Sequence, residues 1–128
     1  MGFTPASKQT VRDQSHEVQE PTQPTEFEVQ AYLWSELRAL GVNARGEVKT
    51  VFAGRAVVRF DIAVFDAGKL VGVLEVKAAQ IQHRAGWETT RQGARYAQYG
   101  VPIRLVYGME QAAQVIADAK RGALWAGN

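Results

Sequence analysis

Residues 56–65 (AVVRFDIAVF) and 70–77 (LVGVLEVK) are two runs rich in Val, Ile and Phe, joined by the short segment 66–69 (DAGK). Such residues favour strands, and a connection this short that contains Gly joins antiparallel neighbours. The sequence therefore predicts a β-hairpin here. Each strand carries an acid within its apolar run, Asp61 in the first and Glu75 in the second. A buried acid needs a partner charge or a metal ion, because burying an unpaired charge is costly.

The two acids lie at nearly equal distances from the centre of the predicted turn, so they are expected to be almost opposite across the ladder. Because side chains alternate between faces, Asp61 shares a face with Ala63, and Glu75 shares a face with Val73. If the register puts both sets on one side, the Cβ atoms of the two acids are about 5 to 8 Å apart. One divalent ion can then bridge them. A purely structural alternative is an ion pair of Lys77 with either acid at the sheet rim.

A helix is predicted over residues 26–40. Thr25 and Glu28 have the spacing of a capping box, and Gly41 stands where a helix C-terminal glycine belongs. At about 100° per residue, one face of this helix forms a buried stripe. The expected members of that stripe are Glu26, Gln30, Leu33, Leu37 and Leu40.

The remaining segments complete an α/β pattern. A strand is expected over 47–53, a loop over 78–86, a helix over 87–99, a strand over 102–107 and a helix over 110–120. Leu124 and Trp125 are expected to pack back on the core. The order helix, three strands, helix, strand predicts a mixed four-stranded sheet flanked by helices.

The chain of 128 residues has the length of one domain. Hydrophobic residues make up 46% of it and charged residues 22%, which supplies one ordinary core and excludes a wholly disordered chain. Residues 1–24 are polar, carry three of the prolines and show no apolar period. We expect them to form an arm that is disordered or ordered by a partner, and residues 25–128 to form a single domain.

Missing residue types exclude several kinds of site. The chain has no Cys, and its two His residues, His16 and His83, are isolated, so any bound metal ion must be held by oxygen ligands. The sequence contains no G-x-S-x-G elbow, P-loop or G-x-G-x-x-G motif. A serine hydrolase is therefore poorly supported, and nucleotide-driven enzymes are excluded.

No apolar run approaches the roughly 18 residues of a membrane span, and the N-terminus lacks the apolar stretch of a signal peptide. We expect a soluble, cytoplasmic protein without a membrane partner. Residues 1–40 hold three Lys/Arg against six Asp/Glu, whereas residues 41–128 hold twelve against seven. This asymmetry suits a polyanionic partner, although a basic solvated surface is the commoner explanation.

Asp61, followed after thirteen residues by Glu75-Val76-Lys77, resembles the motif of the PD-(D/E)XK nuclease superfamily. The resemblance covers residues 25 to about 118 and implies the restriction-endonuclease-like αβββαβ core. Members usually have Pro before the Asp, where this chain has Phe60.

The resemblance implies a role for each residue of the motif. Asp61, Glu75 and the main-chain carbonyl of Val76 would coordinate Mg²⁺ or Mn²⁺, and Glu26 would contribute through water or to a second ion. Lys77 would orient the attacking water and stabilise the developing negative charge. Asp61, Glu75 and Lys77 are thus the expected catalytic residues.

Two further patterns extend the resemblance. Glu26-x-x-x-Gln30 is similar to the virus-type replication-repair (VRR-NUC) branch, while Holliday-junction-resolvase-like and restriction-endonuclease-like branches stay open. Gln92-x-x-x-Tyr96 resembles a feature of RecB-like members, which supports the active site or contacts the phosphate backbone; packing in the core is the alternative for the tyrosine. Four more residues are candidate DNA contacts or solvated surface groups: His83, Arg84, Arg91 and Arg95.

The predicted function is metal-dependent hydrolysis of phosphodiester bonds in DNA. Two alternatives remain: a non-cleaving nucleic-acid-binding or assembly module with the same fold, and a nuclease subunit active only in a larger complex. The N-terminal arm is a candidate contact for a homodimer or a protein partner. The sequence does not predict which DNA structure, or whether DNA or RNA, is the substrate.

Overall fold

Two helices and four strands make up residues 17–77 and 98–126, the part of the chain that the computed structural model describes. The elements in chain order are α1 (Glu26–Ala39), β1 (Asn43–Phe52), β2 (Arg55–Asp66), β3 (Lys69–Lys77), β4 (Ile103–Tyr107) and α2 (Gly108–Lys120). The strands form one sheet in the order β1-β2-β3-β4, with β1, β2 and β3 antiparallel and β4 parallel to β3. The predicted α/β class with a mixed four-stranded sheet is confirmed.

Two tight turns connect the three antiparallel strands. The predicted β2–β3 hairpin is confirmed, and its turn residues Ala67 and Gly68 both have positive φ, 53° and 80°. Ala53 and Gly54 repeat this geometry between β1 and β2, with φ of 54° and 76°. Two positive φ values in a two-residue loop match the right-handed twist of the strands that flank it.

Helix α1 begins where its capping signals predict. The Thr25 hydroxyl accepts a hydrogen bond from the Glu28 N–H, and the Glu28 carboxylate accepts one from the Thr25 N–H. At the other end, Gly41 takes a φ of 87°, a conformation that L side chains rarely adopt. The helix ends one residue earlier than predicted, because Leu40 is its C-cap.

The predicted buried stripe of α1 is wrong at both ends. Its buried residues are Val29, Leu33 and Leu37. Glu26 is exposed, as is every residue from 17 to 28, because the first turn of the helix extends beyond the core. Leu40 is 40% exposed because it stands where the chain leaves the helical path.

Each face of the sheet carries its own apolar cluster. Both helices cover one face, and their residues pack with Ala44, Ile62, Val64, Leu74, Val76 and Val106. On the other face, Val58, Phe60, Ala63 and Val73 form a smaller cluster with partly buried neighbours that include Tyr99. The Phe60 and Tyr99 rings meet edge to face, with centroids 5.4 Å apart.

The segment after α2 returns to the sheet as predicted. Leu124 and Trp125 pack against the helix-covered cluster. Gly72 of β3 makes room for this return, because a Cβ there would overlap the Trp125 ring.

The observed bounds of the four strands and of α2 also differ from the predicted ones, those of β2 and β3 by no more than one residue at either end. Strand β1 begins at Asn43 rather than residue 47, because its polar first residues pair in register with the end of β2. Strand β4 begins at Ile103 and α2 at Gly108. The predicted loop 78–86 and most of the predicted helix 87–99 lie outside the described residues.

Asp118 ties α2 to β4 through a buried ion pair. Its carboxylate accepts hydrogen bonds from Arg104 at 2.7 Å, from Gln114 at 2.9 Å and from Arg121. The Arg104 guanidinium also donates to the carbonyl oxygen of Leu124 at 2.9 Å. These donors, Arg104 first, lower the pKa of Asp118 to about 2.

The described part of the predicted arm, residues 17–24, forms no helix or strand and is exposed. Within the parts of the chain that are described, no helix has the length and apolar character needed to cross a bilayer.

Candidate active site

The candidate site lies where β2 and β3 stop pairing with each other. Their ladder runs from the turn to the pair Ile62↔Leu74, and the next residues are Asp61 and Glu75. At this point the side-chain carboxylates of Asp61 and Glu75, rather than main-chain carbonyls, accept the hydrogen bonds between the two strands. Glu75 Oε2 accepts from the Asp61 N–H at 2.8 Å, and Asp61 Oδ2 accepts from the Val76 N–H at 2.8 Å. The predicted proximity of the two acids is confirmed.

An irregularity of β2 sets the position of Asp61. The register of β1 with β2 includes Gly46↔Ile62 and Val48↔Phe60, but it omits Glu47 and Asp61 between them. Glu47 has a φ of 57° at this point, which is uncommon for a residue with a side chain. The Asp61 N–H is thereby available to the Glu75 carboxylate.

Burial gives this carboxyl pair its chemical character. Glu75 is only 2% exposed, and Asp61 is half-buried. Burial first, and then the neighbouring Asp61 charge, raise the pKa of Glu75 to about 8, although the Asp61 N–H and the Lys77 charge oppose the rise. In the absence of another cation, Glu75 therefore holds its proton at neutral pH.

Lys77 ends β3 and lies two residues beyond Glu75. Its ammonium is close enough to lower the pKa of Glu75, so it acts on the same carboxyl pair. Residues two apart on a strand share a face. Strand β3 therefore brings together Glu75 and Lys77, two of the three predicted catalytic residues.

Gln30 connects helix α1 to the site. Its amide nitrogen donates to the main-chain oxygen of Asp61 at 3.0 Å and to Glu47 Oε2 at 3.1 Å. Glu47 Oε1 is paired with Arg59 at 2.9 Å. These contacts hold the irregular backbone around Asp61 in place. Glu47 was not predicted as a site neighbour, because its position depends on the β1–β2 register rather than on any local pattern.

Other predicted site residues are not brought into this cluster or lie elsewhere. Glu26 is exposed in the first turn of α1, four residues before Gln30. Its predicted role at the metal site stays a prediction. The predictions for six residues concern positions outside the described residues: His83, Arg84, Arg91, Gln92, Arg95 and Tyr96.

The donor set of the site fits Mg²⁺ or Mn²⁺. Within residues 17–77 and 98–126, no group of three or more His, Cys, Asp or Glu suited to a metal ion is found. Two adjacent carboxylates nonetheless suit Mg²⁺, because this ion is usually held by one or two carboxylates and keeps several of its waters. The oxygen ligands are of the hard type that both ions prefer.

Comparison of the chain with known proteins finds no matching family model, no matching characterised protein and no matching solved structure. The candidate function therefore depends on the geometry of the site.

Proposed function

We propose that this protein is a divalent-metal-dependent nuclease that hydrolyses phosphodiester bonds in DNA. The main observation behind the proposal is the carboxyl pair of Asp61 and Glu75 on adjacent strands, with Lys77 on the same strand as Glu75. Glu75 accepts from the Asp61 N–H, and Asp61 accepts from the Val76 N–H. We further propose that the chain belongs to the PD-(D/E)XK superfamily, with a restriction-endonuclease-like core.

The order of the described elements supports this assignment. One helix precedes three antiparallel strands, and a fourth strand follows that pairs in parallel with the third. The motif acids occupy the second and third strands, as the superfamily pattern requires. The segment between β3 and β4 is long enough for the expected second helix.

Asp61, Glu75 and the main-chain carbonyl of Val76 would hold the metal ion. When bound, Mg²⁺ or Mn²⁺ neutralises a phosphate oxygen and lowers the pKa of a coordinated water. Lys77 stabilises the negative charge that develops on the phosphate and orients the attacking water. Glu26 extends the site through water or toward a second ion.

A non-cleaving nucleic-acid-binding module is the main competitor. Such a module has no use for two acids that repel phosphates, and a raised pKa shows that this pair costs free energy to keep. Perturbed carboxyls of this kind cluster at functional sites because catalysis needs charge where folding disfavours it. The acids therefore favour the enzyme.

The test is a cleavage assay with the full chain on labelled linear, nicked, flapped and four-way DNA, with a matched RNA strand. We expect cleavage with Mg²⁺ or Mn²⁺ and none in excess EDTA. Undiminished cleavage in EDTA would contradict the metal-dependent mechanism.

The same assay separates the alternatives. A binding module retards DNA on a gel but never cuts it, whatever the metal ion. A subunit of a larger complex cuts only after its partner is added, and the N-terminal arm is the first segment to test as the contact with that partner or with a second copy.

A further inference from the structure

An aromatic groove, defined by Phe27, Ala31 and Trp34 of α1 and by Arg45 of β1, lies beside the candidate site. Its cavity volume is about 550 Å³, and Gln30, Gly46 and Glu47 complete its lining. Phe27 is 77% exposed and Trp34 is 42% exposed, so both large rings face solvent. Exposed aromatic side chains that share a cavity mark a binding surface more often than single exposed apolar residues do.

Helix geometry places the two rings on one line. Phe27 and Trp34 are seven residues apart, which is nearly two full turns, or about 10.5 Å along the helix axis. Ala31 stands between them and leaves the space between the rings open. A strand of a few nucleotides that lies along α1 can therefore contact both rings.

The charges around the groove are cationic where a phosphate backbone would pass. The Arg38 guanidinium lies 5.3 Å from the centroid of the Trp34 ring, and it donates to the Ala44 carbonyl oxygen at 3.0 Å. Arg45 adds a second guanidinium to the lining. The one acid in the lining, Glu47, is already bonded to Arg59 and Gln30.

The groove and the candidate site share Gln30. Its side chain lines the groove, and its amide donates to the main-chain oxygen of Asp61. A ligand held in the groove is thus one side chain away from the carboxyl pair. A second copy of the chain is the competing occupant of this face.

We propose that the aromatic groove binds unpaired nucleotides, with bases stacked on Phe27 and Trp34 and phosphates near Arg38 and Arg45. This inference rests on the proposed function and specifies its substrate class as nucleic acid with a single-stranded segment next to the cleaved bond. Aromatic side chains combined with a basic groove are the usual means of binding single strands without reading sequence.

The test measures binding by fluorescence anisotropy, in EDTA, to a labelled single-stranded oligonucleotide and to the blunt duplex of the same sequence. The variants are Phe27→Ala and Trp34→Ala in the full chain, with Trp34→Phe to retain a ring. Val51→Ala is the matched control, because Val51 is 66% exposed on β1 and does not line the groove. Thermal melting checks that each variant folds.

We expect Trp34→Ala to weaken single-strand binding by about 5- to 150-fold, the usual loss for one stacking aromatic. Phe27→Ala should weaken it in the same direction, Trp34→Phe should restore most of it, and duplex binding should change less than twofold. Equal losses on both DNAs, no loss, or no single-strand binding by the wild type would overturn the proposal. If Trp34→Ala fails to fold, the Phe27→Ala result decides.

Sedimentation of the same variants tests the competing occupant. A wild-type dimer that Trp34→Ala converts to a monomer would overturn the proposal in favour of a second copy. Ring-dependent single-strand binding by a wild type that cuts no DNA would refute nuclease activity of the chain alone and leave the groove assignment standing. Cleavage without ring-dependent binding would refute the groove assignment and leave the nuclease function standing.

Discussion

Glu75 and Asp118 are the two buried acids among the described residues, and their surroundings shift their pKa values in opposite directions. Asp118 receives hydrogen bonds from two arginines and an amide, which lower its pKa to about 2. Glu75 faces a second carboxyl, and burial raises its pKa to about 8. The charged form of Asp118 is stabilised by its donors, whereas the charged form of Glu75 is destabilised by burial.

The contacts of Asp118 stabilise the fold, whereas those of Glu75 leave its carboxyl available for chemistry. Arg104 donates to one oxygen of Asp118, and Gln114 and Arg121 donate to the other, so Asp118 stabilises the contact between α2 and β4. No arginine contact of this kind is seen at Glu75 in the described structure, where the Asp61 N–H and the Lys77 charge only partly oppose the effect of burial. A cation that binds the Asp61–Glu75 pair would replace the proton and complete the charge balance.

The largest expected effect is on turnover at the carboxyl pair. Asp61→Asn or Glu75→Gln should lower the cleavage rate by about 10² to 10³, as the loss of one preorganised electrostatic contact does. DNA binding without metal should tighten in Asp61→Asn, which removes a charge that repels phosphate, and hold in Glu75→Gln, because Glu75 is already protonated at neutral pH. Asp66→Asn is the control, since it makes the same change at the exposed end of β2. Loss of folding together with binding in the first two variants would show that these acids are structural.

The second effect is on stability, and it should have opposite signs at the two acids. Asp118→Asn leaves the largely buried Arg104 without its carboxylate, so we expect the melting temperature to fall by at least about 5 °C. Glu75→Gln removes a group that the fold disfavours in its charged form, so its melting temperature without metal should stay level or rise. Calorimetry at pH about 8 measures both. Equal destabilisation by the two changes would remove the contrast.

The third effect concerns pH. The pKa of Glu75 is raised on folding, so the folded protein binds more protons and its stability falls as pH rises from about 4.5 through about 8. Asp118 has a lowered pKa, so its contribution is present above about 3.8 and is lost as pH falls through about 2. Chemical denaturation from pH about 6 to about 9 should show a decline in the wild type and a flatter profile in Glu75→Gln. Identical slopes would contradict the assigned cause.

The smallest effect separates Glu26 from Glu28. If Glu26 belongs to the metal site, Glu26→Gln should weaken the metal dependence of cleavage and leave stability nearly unchanged. Glu28→Gln keeps the capping box, which accepts Gln as well as Glu, so it should lower stability by about 0.3 to 1 kcal/mol through the lost charge at the helix N-terminus and leave the kinetics alone. A metal titration of both variants compares them directly, and equal kinetics would remove Glu26 from the site.

Local patterns were sufficient to predict the hairpin and the opposition of its two acids. Strand propensity and the short turn place Asp61 and Glu75 within one position of each other across the ladder, and a register shift between Val64 and Phe65 brings them opposite. The buried stripe of α1 was predicted less well. Helical periodicity shows which residues share a face, but how far the core extends beneath that face, and whether it reaches Glu26, depends on the tertiary structure.

The residues that contact the acids could be identified only from the tertiary structure. Glu47 reaches Gln30 and Arg59 only because β1 pairs with β2 through a residue with positive φ. The Arg104–Asp118 pair joins a residue of β4 to a residue of α2, and no periodic pattern in the sequence predicts that these two elements contact each other. Whether a carboxylate is anchored or left for a ligand is decided by such distant contacts.

The most direct measurement of the central claim is calorimetric titration of Mn²⁺ into the wild-type chain, in two buffers of different ionisation enthalpy. At pH about 7 we expect saturable binding with release of about one proton per ion, because the metal displaces the proton of Glu75. Glu75→Gln should bind more weakly and release no proton, while Asp66→Asn should match the wild type. Absence of binding, or the same proton release from Glu75→Gln, would contradict the assignment of the Asp61–Glu75 pair as the metal site.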